Sequence, residues 1–202
     1  MDMMTNFWDD RYAEKDFAYG TLPNTFFAEQ IEHLQPGKIL LPCEGEGRNA
    51  VYAAKKGWEV EAFDSSIEGM KKALALAEEN NVKFNYTIAD AMDIEFPFGT
   101  FDIVALIYTH LPAEIRRSLH RKVTDWLKPG GLLILEAFSP LQISNTSGGP
   151  KDPDMLYSME TIEVDFKQLK LLLLQATKII LNEGKYHQGH ADVIRFIGSK
   201  EN

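Results

Sequence analysis

The chain is nearly free of cysteine: Cys43 stands alone among 202 residues. No disulfide can close within it, and a cysteine-built metal cage is excluded. No apolar run approaches the ~20 residues a bilayer span needs. The opening Met-Asp-Met-Met-Thr-Asn-Phe-Trp-Asp-Asp lacks the basic stretch of a leader peptide. These absences predict a soluble cytoplasmic protein with no membrane partner. Positive charge is also short, with 21 Lys and Arg against 30 Asp and Glu, a net charge of −9. Such a balance opposes binding to a phosphate backbone. Arg116-Arg117 with His120-Arg121-Lys122 is the one basic cluster, and on a helix it reads as a solvated face. No nucleic-acid partner is expected. Internal repeats and low-complexity segments are missing too. What is present is an ordinary globular mixture, 45% hydrophobic and 25% charged. A chain of this length buries roughly 70% of its unfolded surface and sustains a core without staples, so one domain over 1–202 is expected.

Alternating strand and helix patterns run through most of the chain. An amphipathic helix is predicted over 5–17, with Phe7, Trp8 and Tyr12 on one side, and a second from Asn24 or Thr25 to Leu34. Ile39-Leu40-Leu41 is a short buried strand that Pro42 ends. A helix follows to Gly57, then a strand over 58–63. Ser65-Ser66 caps a long helix over 67–80. Strands are predicted at 83–89 and 101–107, then a helix from Pro112 to Leu127. Lys128-Pro129-Gly130-Gly131 reads as a turn, and 132–138 as the fifth strand. Ser144 to Asp154 reads as a mobile loop, rich in Ser, Gly, Pro and Asn. A short helix over 159–168 comes next. The runs 169–181 and 191–197 have no helix between them and should pair as an antiparallel hairpin. The pattern predicts an α/β fold.

The organising stretch is Lys38–Asn49, a strand that runs into the turn Glu44-Gly45-Glu46-Gly47 and then into a helix. That geometry holds a ligand against backbone N–H groups at a helix N-terminus. Asp64 closes the next strand about twenty residues on, where an acid grips ribose hydroxyls. The ligand therefore bears an adenosine. Gly45-x-Gly47-x-x-Ala50 also fits the dinucleotide fingerprint, so an NAD-dependent oxidoreductase stays open at this point.

Further features carry a resemblance. Pro97-Phe98-Gly99-Thr100 precedes Phe101-Asp102-Ile103-Val104, Lys128-Pro129-Gly130-Gly131 leads into an apolar strand, and the chain ends in a hairpin. With the glycine turn, Asp64 and Asp90, these resemble the class I S-adenosylmethionine-dependent methyltransferases over essentially the whole chain. Tyr19-Gly20, Pro23-Asn24, Gly45-Glu46-Gly47-Arg48-Asn49 and Glu183-Gly184…His187-Gln188-Gly189…Val193-Ile194-Arg195 are similar to the tellurite-resistance and thiopurine methyltransferase branch. The resemblance implies a Rossmann-like three-layer sandwich around a seven-stranded, mostly parallel sheet, its C-terminal hairpin strand antiparallel. It implies an N-terminal helical lid (1–36) on an α/β core (37–202), S-adenosylmethionine as cofactor, no metal, and a small-molecule acceptor.

The same resemblance implies residue roles. Gly45 and Gly47 let the backbone approach the methionine moiety, and Arg48 meets its carboxylate. Asp64, with Ser65 beside it, accepts the ribose hydroxyls. Asp90 takes the adenine amino group, with Ala91 and Met92 against the ring. Ile107 and Tyr108 line the cleft near the methyl group. The pattern departs where an acid and a glycine are usual, at Leu41 and Cys43, and that departure keeps a non-catalytic adenosyl-ligand sensor open. The cofactor's ammonium then falls to Glu44, to Glu46 in the same turn, or to a backbone carbonyl. Cys43, with no histidine near it in sequence, reads as a packed thiol. Tyr19 and His187 are the substrate-side candidates for catalysis, whereas His110 and His190 read as surface or capping histidines. Tyr12, Tyr19, Phe26 and Phe27 are candidates for an aromatic lid, with core packing the simpler reading for the two phenylalanines. A thiol, selenium or tellurium acceptor suits displacement at a sulfonium methyl, because a soft anion needs no strong base.

Overall fold

Alternation places β1 (Lys38–Pro42) in the middle of the sheet. Ile39 and Leu41 turn to one side and Leu40 to the other, and all three are fully buried. A strand apolar on both faces needs a cover on both. α2 (Thr25–Ile31) and α3 (Arg48–Lys55) supply one cover, through Phe26, Phe27, Ile31, Ala50 and Ala53. α5 (Ala113–Trp126) and α6 (Met159–Asp165) supply the other, through Leu119, Val123, Trp126, Ile162 and Phe166. α4 (Ile67–Glu79) packs beside α3, and Leu76 and Ala77 meet Val51 there. α1 (Met3–Tyr12) lies on α4. The structure is a computed structural model that describes residues 3–201.

The remaining strands are β2 (Glu59–Asp64), β3 (Asn85–Ile88), β4 (Phe101–Ile107), β5 (Leu127–Phe138), β6 (Lys170–Glu183) and β7 (His187–Ser199). They form one seven-stranded sheet in the order β3-β2-β1-β4-β5-β7-β6. β1 to β5 run parallel, and β7 is antiparallel to both its neighbours. Strand order reverses between β1 and β4, so the crevice beyond their C-terminal ends is where such a sheet binds ligands.

Several boundaries differ from the sequence expectation. β5 starts at Leu127 and absorbs Lys128–Gly131, because the Gly130 N–H donates to Lys200 O at 2.8 Å and the Lys200 N–H to Gly131 O at 2.9 Å. The C-terminal tail pairs there, which local turn propensity cannot reveal. The hairpin strands are longer than expected, and only Gly184–Tyr186 separates them. α1 stops at Tyr12, and α2 at Ile31. The segment read as a mobile loop is closed on Gln142, which is fully buried. Its Nε2 donates to Ser147 Oγ (2.9 Å) and Gly148 O (3.0 Å), while its Oε1 accepts the Asp192 N–H at 2.9 Å. A single glutamine outside the Ser/Gly/Pro-rich stretch thus orders it.

The glycine turn sits on the small residues of α4. Gly47 precedes α3 at φ +83°, and a Cβ there would lie 2.5 Å from Ala73 Cβ and 2.8 Å from its Cα. Gly47→Ala meets both a left-handed backbone and a wall of helix backbone. The expected cost is on the order of 2–4 kcal/mol, read as a lower urea midpoint with unchanged slope.

Candidate cofactor and acceptor site

The ends of β1 and β2 build the first half of the site. Asp64, the last residue of β2, is 6% exposed, and its carboxylate accepts the Gly45 N–H (3.1 Å) and the Ser66 N–H (2.9 Å). Tyr86 donates its hydroxyl to Gly45 O at 2.7 Å. Both polar groups of Gly45 are therefore fixed from neighbouring strands. Its backbone sits at φ +60°, and Tyr12 Oη stands 2.5 Å from where a Cβ would be, so α1 reaches over the turn. Asp9 on α1 accepts from Ser66 Oγ and from the Glu68 N–H, tying that helix to the start of α4. Ser66 rather than Ser65 makes the cap on Gly69 N.

Glu44 has an occupation the sequence did not foretell. Its Oε1 accepts the N–H groups of Asn49 and Ala50, both at 2.8 Å, and so caps α3 where Gly47 has no side chain to do so. Glu46 accepts the Ala18 N–H and the Lys72 ammonium, both at 2.8 Å, and anchors the N-terminal segment. Burial raises Glu44 to about 7 and Asp64 to about 6, against the N–H groups that lower them. Among the described residues neither carboxylate forms an ion pair. Asp64 is thus a buried acid and Glu44 a half-buried one, each held by backbone N–H groups rather than by a cation.

A stability slope follows. Both acids hold protons in the folded state that the unfolded chain has released, so their contribution is fully present below pH ~4 and is lost as pH rises through 6 to 7. The ligand-free protein should lose on the order of a few kcal/mol from these two groups between pH 5 and 8. Urea midpoints across that range should fall less steeply in Asp64→Asn than in the parent.

Asp90 and its neighbours lie beyond β3. Asp90 Oδ1 accepts the Met92 N–H at 2.7 Å, Ala91 is buried, and Met92 is exposed. Ile107 is half-buried at the end of β4, and Tyr108 follows at φ +52°. Cys43, at φ +54°, holds the left-handed conformation that favours glycine at this turn. Burial pushes its thiol well up, so it is an inert packed group.

The second half of the site surrounds His187, which is 4% exposed. Its ring lies 4.4 Å from that of Tyr19, 4.8 Å from Tyr108 and 5.3 Å from Phe138. Its Nδ1 pairs with Glu183 Oε2 at 3.1 Å. Arg48 reaches the same oxygen at 3.0 Å and Tyr19 O at 3.2 Å. Burial lowers the His187 pKa despite Glu183, while His187 and Arg48 hold Glu183 below the usual carboxylate range against its burial. The residue expected on the cofactor's carboxylate thus spends its guanidinium between the N-terminal loop and the hairpin. His110 Nδ1 meets Met155 O at 2.7 Å, its Nε2 accepts the Phe138 N–H at 3.0 Å, and burial drops it to about 4. It is a neutral structural histidine. Phe26 and Phe27 pack in the core, whereas Tyr12 lies against Gly45 and Tyr19 against His187.

Sequence reasoning missed Glu136, the one acid inside the apolar β5. It is fully buried and accepts Asn24 Nδ2 (2.6 Å), Tyr108 Oη (2.8 Å) and Arg195 Nε (2.6 Å). Its charge within an apolar run was the available signal.

Comparison with known proteins bears on which adenosyl ligand the site suits. Residues 39–131, from β1 through the glycine pair of β5, match the methyltransferase domain family. This stretch is similar to methyltransferase domains. An uncharacterised methyltransferase of Synechocystis sp. is 35% identical over 106 residues, 50% of this chain and 48% of the relative. A phosphoethanolamine N-methyltransferase of Arabidopsis thaliana is 29% identical over 61% of this chain and 26% of its own length. The chain thus spans about a quarter to a half of these relatives' lengths. TehB from Haemophilus influenzae superposes with a TM-score of 0.70 at 15% identity, over 98% of this chain and 67% of that one, which shows the same Rossmann-like fold. The cofactor implied for the methyltransferase domain is S-adenosylmethionine, and the cation-free acids Asp64 and Glu44 fit it. No helix among the described residues is long and apolar enough to cross a membrane.

Proposed function

We propose that the protein transfers a methyl group from S-adenosylmethionine to a small acceptor whose nucleophile is a thiol, selenium or tellurium atom. Asp64 carries the cofactor half of this reading. It is a buried carboxylate without a cation at the end of β2, held by two N–H groups and with lone pairs to spare. Asp64 then grips the ribose diol, and Ser65 lies beside it. Gly45 and Gly47 keep the backbone open to the methionine end, and Glu44 and Glu46 offer negative potential to its ammonium. Asp90, Ala91 and Met92 flank the adenine, while Ile107 and Tyr108 face the methyl group. When bound, the cofactor supplies an electrophilic sulfonium methyl. The chain supplies position and dryness. Residues 1–36 act as a lid, with Tyr12 over Gly45 and Tyr19 over His187.

The acceptor half rests on the aromatic box. Tyr19, Tyr108, Phe138 and His187 present ring faces and edges, which suit a polarisable atom such as sulfur. Arg48 steadies the box from the glycine turn. Incubation with methyl-labelled S-adenosylmethionine and a panel of small thiols, a selenol and tellurite tests the reading. Acceptor-dependent release of S-adenosylhomocysteine is expected. Cofactor binding without release on any acceptor would make the protein a sensor instead.

A further inference from the structure

Arg48, Glu183 and His187 form a chain of charge that crosses from one half of the site to the other. Arg48 opens α3 directly after the glycine turn, Glu183 ends β6, and His187 begins β7. One carboxylate oxygen, Glu183 Oε2, receives both Arg48 Nη2 (3.0 Å) and His187 Nδ1 (3.1 Å). A carboxylate on Nδ1 fixes the tautomer in which Nδ1 carries the proton and Nε2 is a free base. Among the described residues Nε2 has no hydrogen-bond partner, and its edge faces Gly148, where a Cβ would stand 2.6 Å from His187 Cδ2 and 3.2 Å from Nε2. By contrast, His110 has both ring nitrogens occupied.

We propose that His187 Nε2 is the base that takes the proton from a protic acceptor, that Glu183 is the residue that positions it, and that the acceptor arrives as a neutral thiol rather than a preformed anion. This rests on the chalcogen-acceptor reading above and narrows it. In the step, the acceptor S–H bond breaks and its proton passes to His187 Nε2. The sulfur lone pair forms the new S–C bond. The sulfonium S–C bond breaks with its electrons left on the cofactor sulfur. Glu183 stabilises the imidazolium, and Arg48 keeps Glu183 ionised and aimed. Because Arg48 belongs to the helix that starts at the glycine turn, the base is held from the cofactor's own loop.

The test compares an alkanethiol, which is protonated at neutral pH, with a thiophenol, which is already ionised. In His187→Asn the alkanethiol-to-thiophenol ratio of kcat/KM should fall by on the order of a hundredfold, and in Glu183→Gln by a smaller factor in the same direction. A structural defect would lower both rates together and leave the ratio alone, which would overturn the proposal. A second readout needs no acceptor. In the intact protein, 15N NMR at neutral pH should show His187 protonated at Nδ1 and bare at Nε2, with that preference weakened in Glu183→Gln. The opposite tautomer would sink the dyad. Binding of S-adenosylhomocysteine with no transfer to either thiol would sink the acceptor reading beneath it, whatever the tautomer.

Discussion

Glu136→Ala should lower stability by about 3–5 kcal/mol, the usual cost of removing one partner from a buried ion pair. Glu136 is fully buried, and the Arg195 it pairs with is largely so. Truncation leaves that guanidinium, the Asn24 amide and the Tyr108 hydroxyl without their acceptor. The effect should also reach the cleft, because each donor lies on a different part of it. Asn24 accepts the Phe27 N–H at 2.9 Å, capping α2, and donates its Nδ2 to Glu136 at 2.6 Å, which ties the N-terminal loop to β5. Tyr108 sits in a left-handed conformation that its hydroxyl bond helps to secure. Urea denaturation measures the loss. Glu136→Gln, which keeps acceptor capacity but not charge, should recover part of it; equal losses in the two variants would show that the charge carries the whole effect and the acceptor oxygen none.

Asp64→Ala should weaken S-adenosylhomocysteine by tenfold to more than a hundredfold, on the order of 1.5–3 kcal/mol for charged hydrogen bonds to a diol. Folding should suffer less than binding. The acid is buried without a cation, and burial raises it to about 6, so its ionised form is itself a burden on the ligand-free fold near neutral pH. The N–H groups of Gly45 and Ser66 lose their acceptor, which offsets that relief. Affinity in the parent should also decline as pH falls through about 6, since a protonated Asp64 no longer accepts two hydroxyls at full strength. The Asp64 share of that pH dependence should vanish in the alanine variant, leaving the part that Glu44 contributes near pH 7.

Local patterning carried the sheet. Apolar strands, the glycine turn and the Ser66 cap each follow from neighbours within a few residues, and their places in the fold follow from the right-handed crossovers that parallel strands demand. What was not legible came from distant partners. Gln142 orders the loop that its composition marks as mobile, through Ser147, Gly148 and Asp192. Lys200 draws Gly130 and Gly131 into β5. In the site, Asp64 and the glycines stand at the turn the spacing predicts. Arg48 and Glu44 stand there as well, yet their side chains serve Glu183 and the start of α3. Residue type and spacing place a group near a ligand; they do not reveal the protein groups that compete for it.

The central claim is that the cleft between β1 and β4 binds S-adenosylmethionine through Asp64. One calorimetric experiment addresses it, titrating the intact protein and Asp64→Ala with S-adenosylhomocysteine and with NAD. The account predicts saturable binding of S-adenosylhomocysteine to the parent, at least tenfold weaker binding to the variant, and no heat from NAD in either. Equal affinity of parent and variant for S-adenosylhomocysteine, or binding of NAD alone, would contradict it.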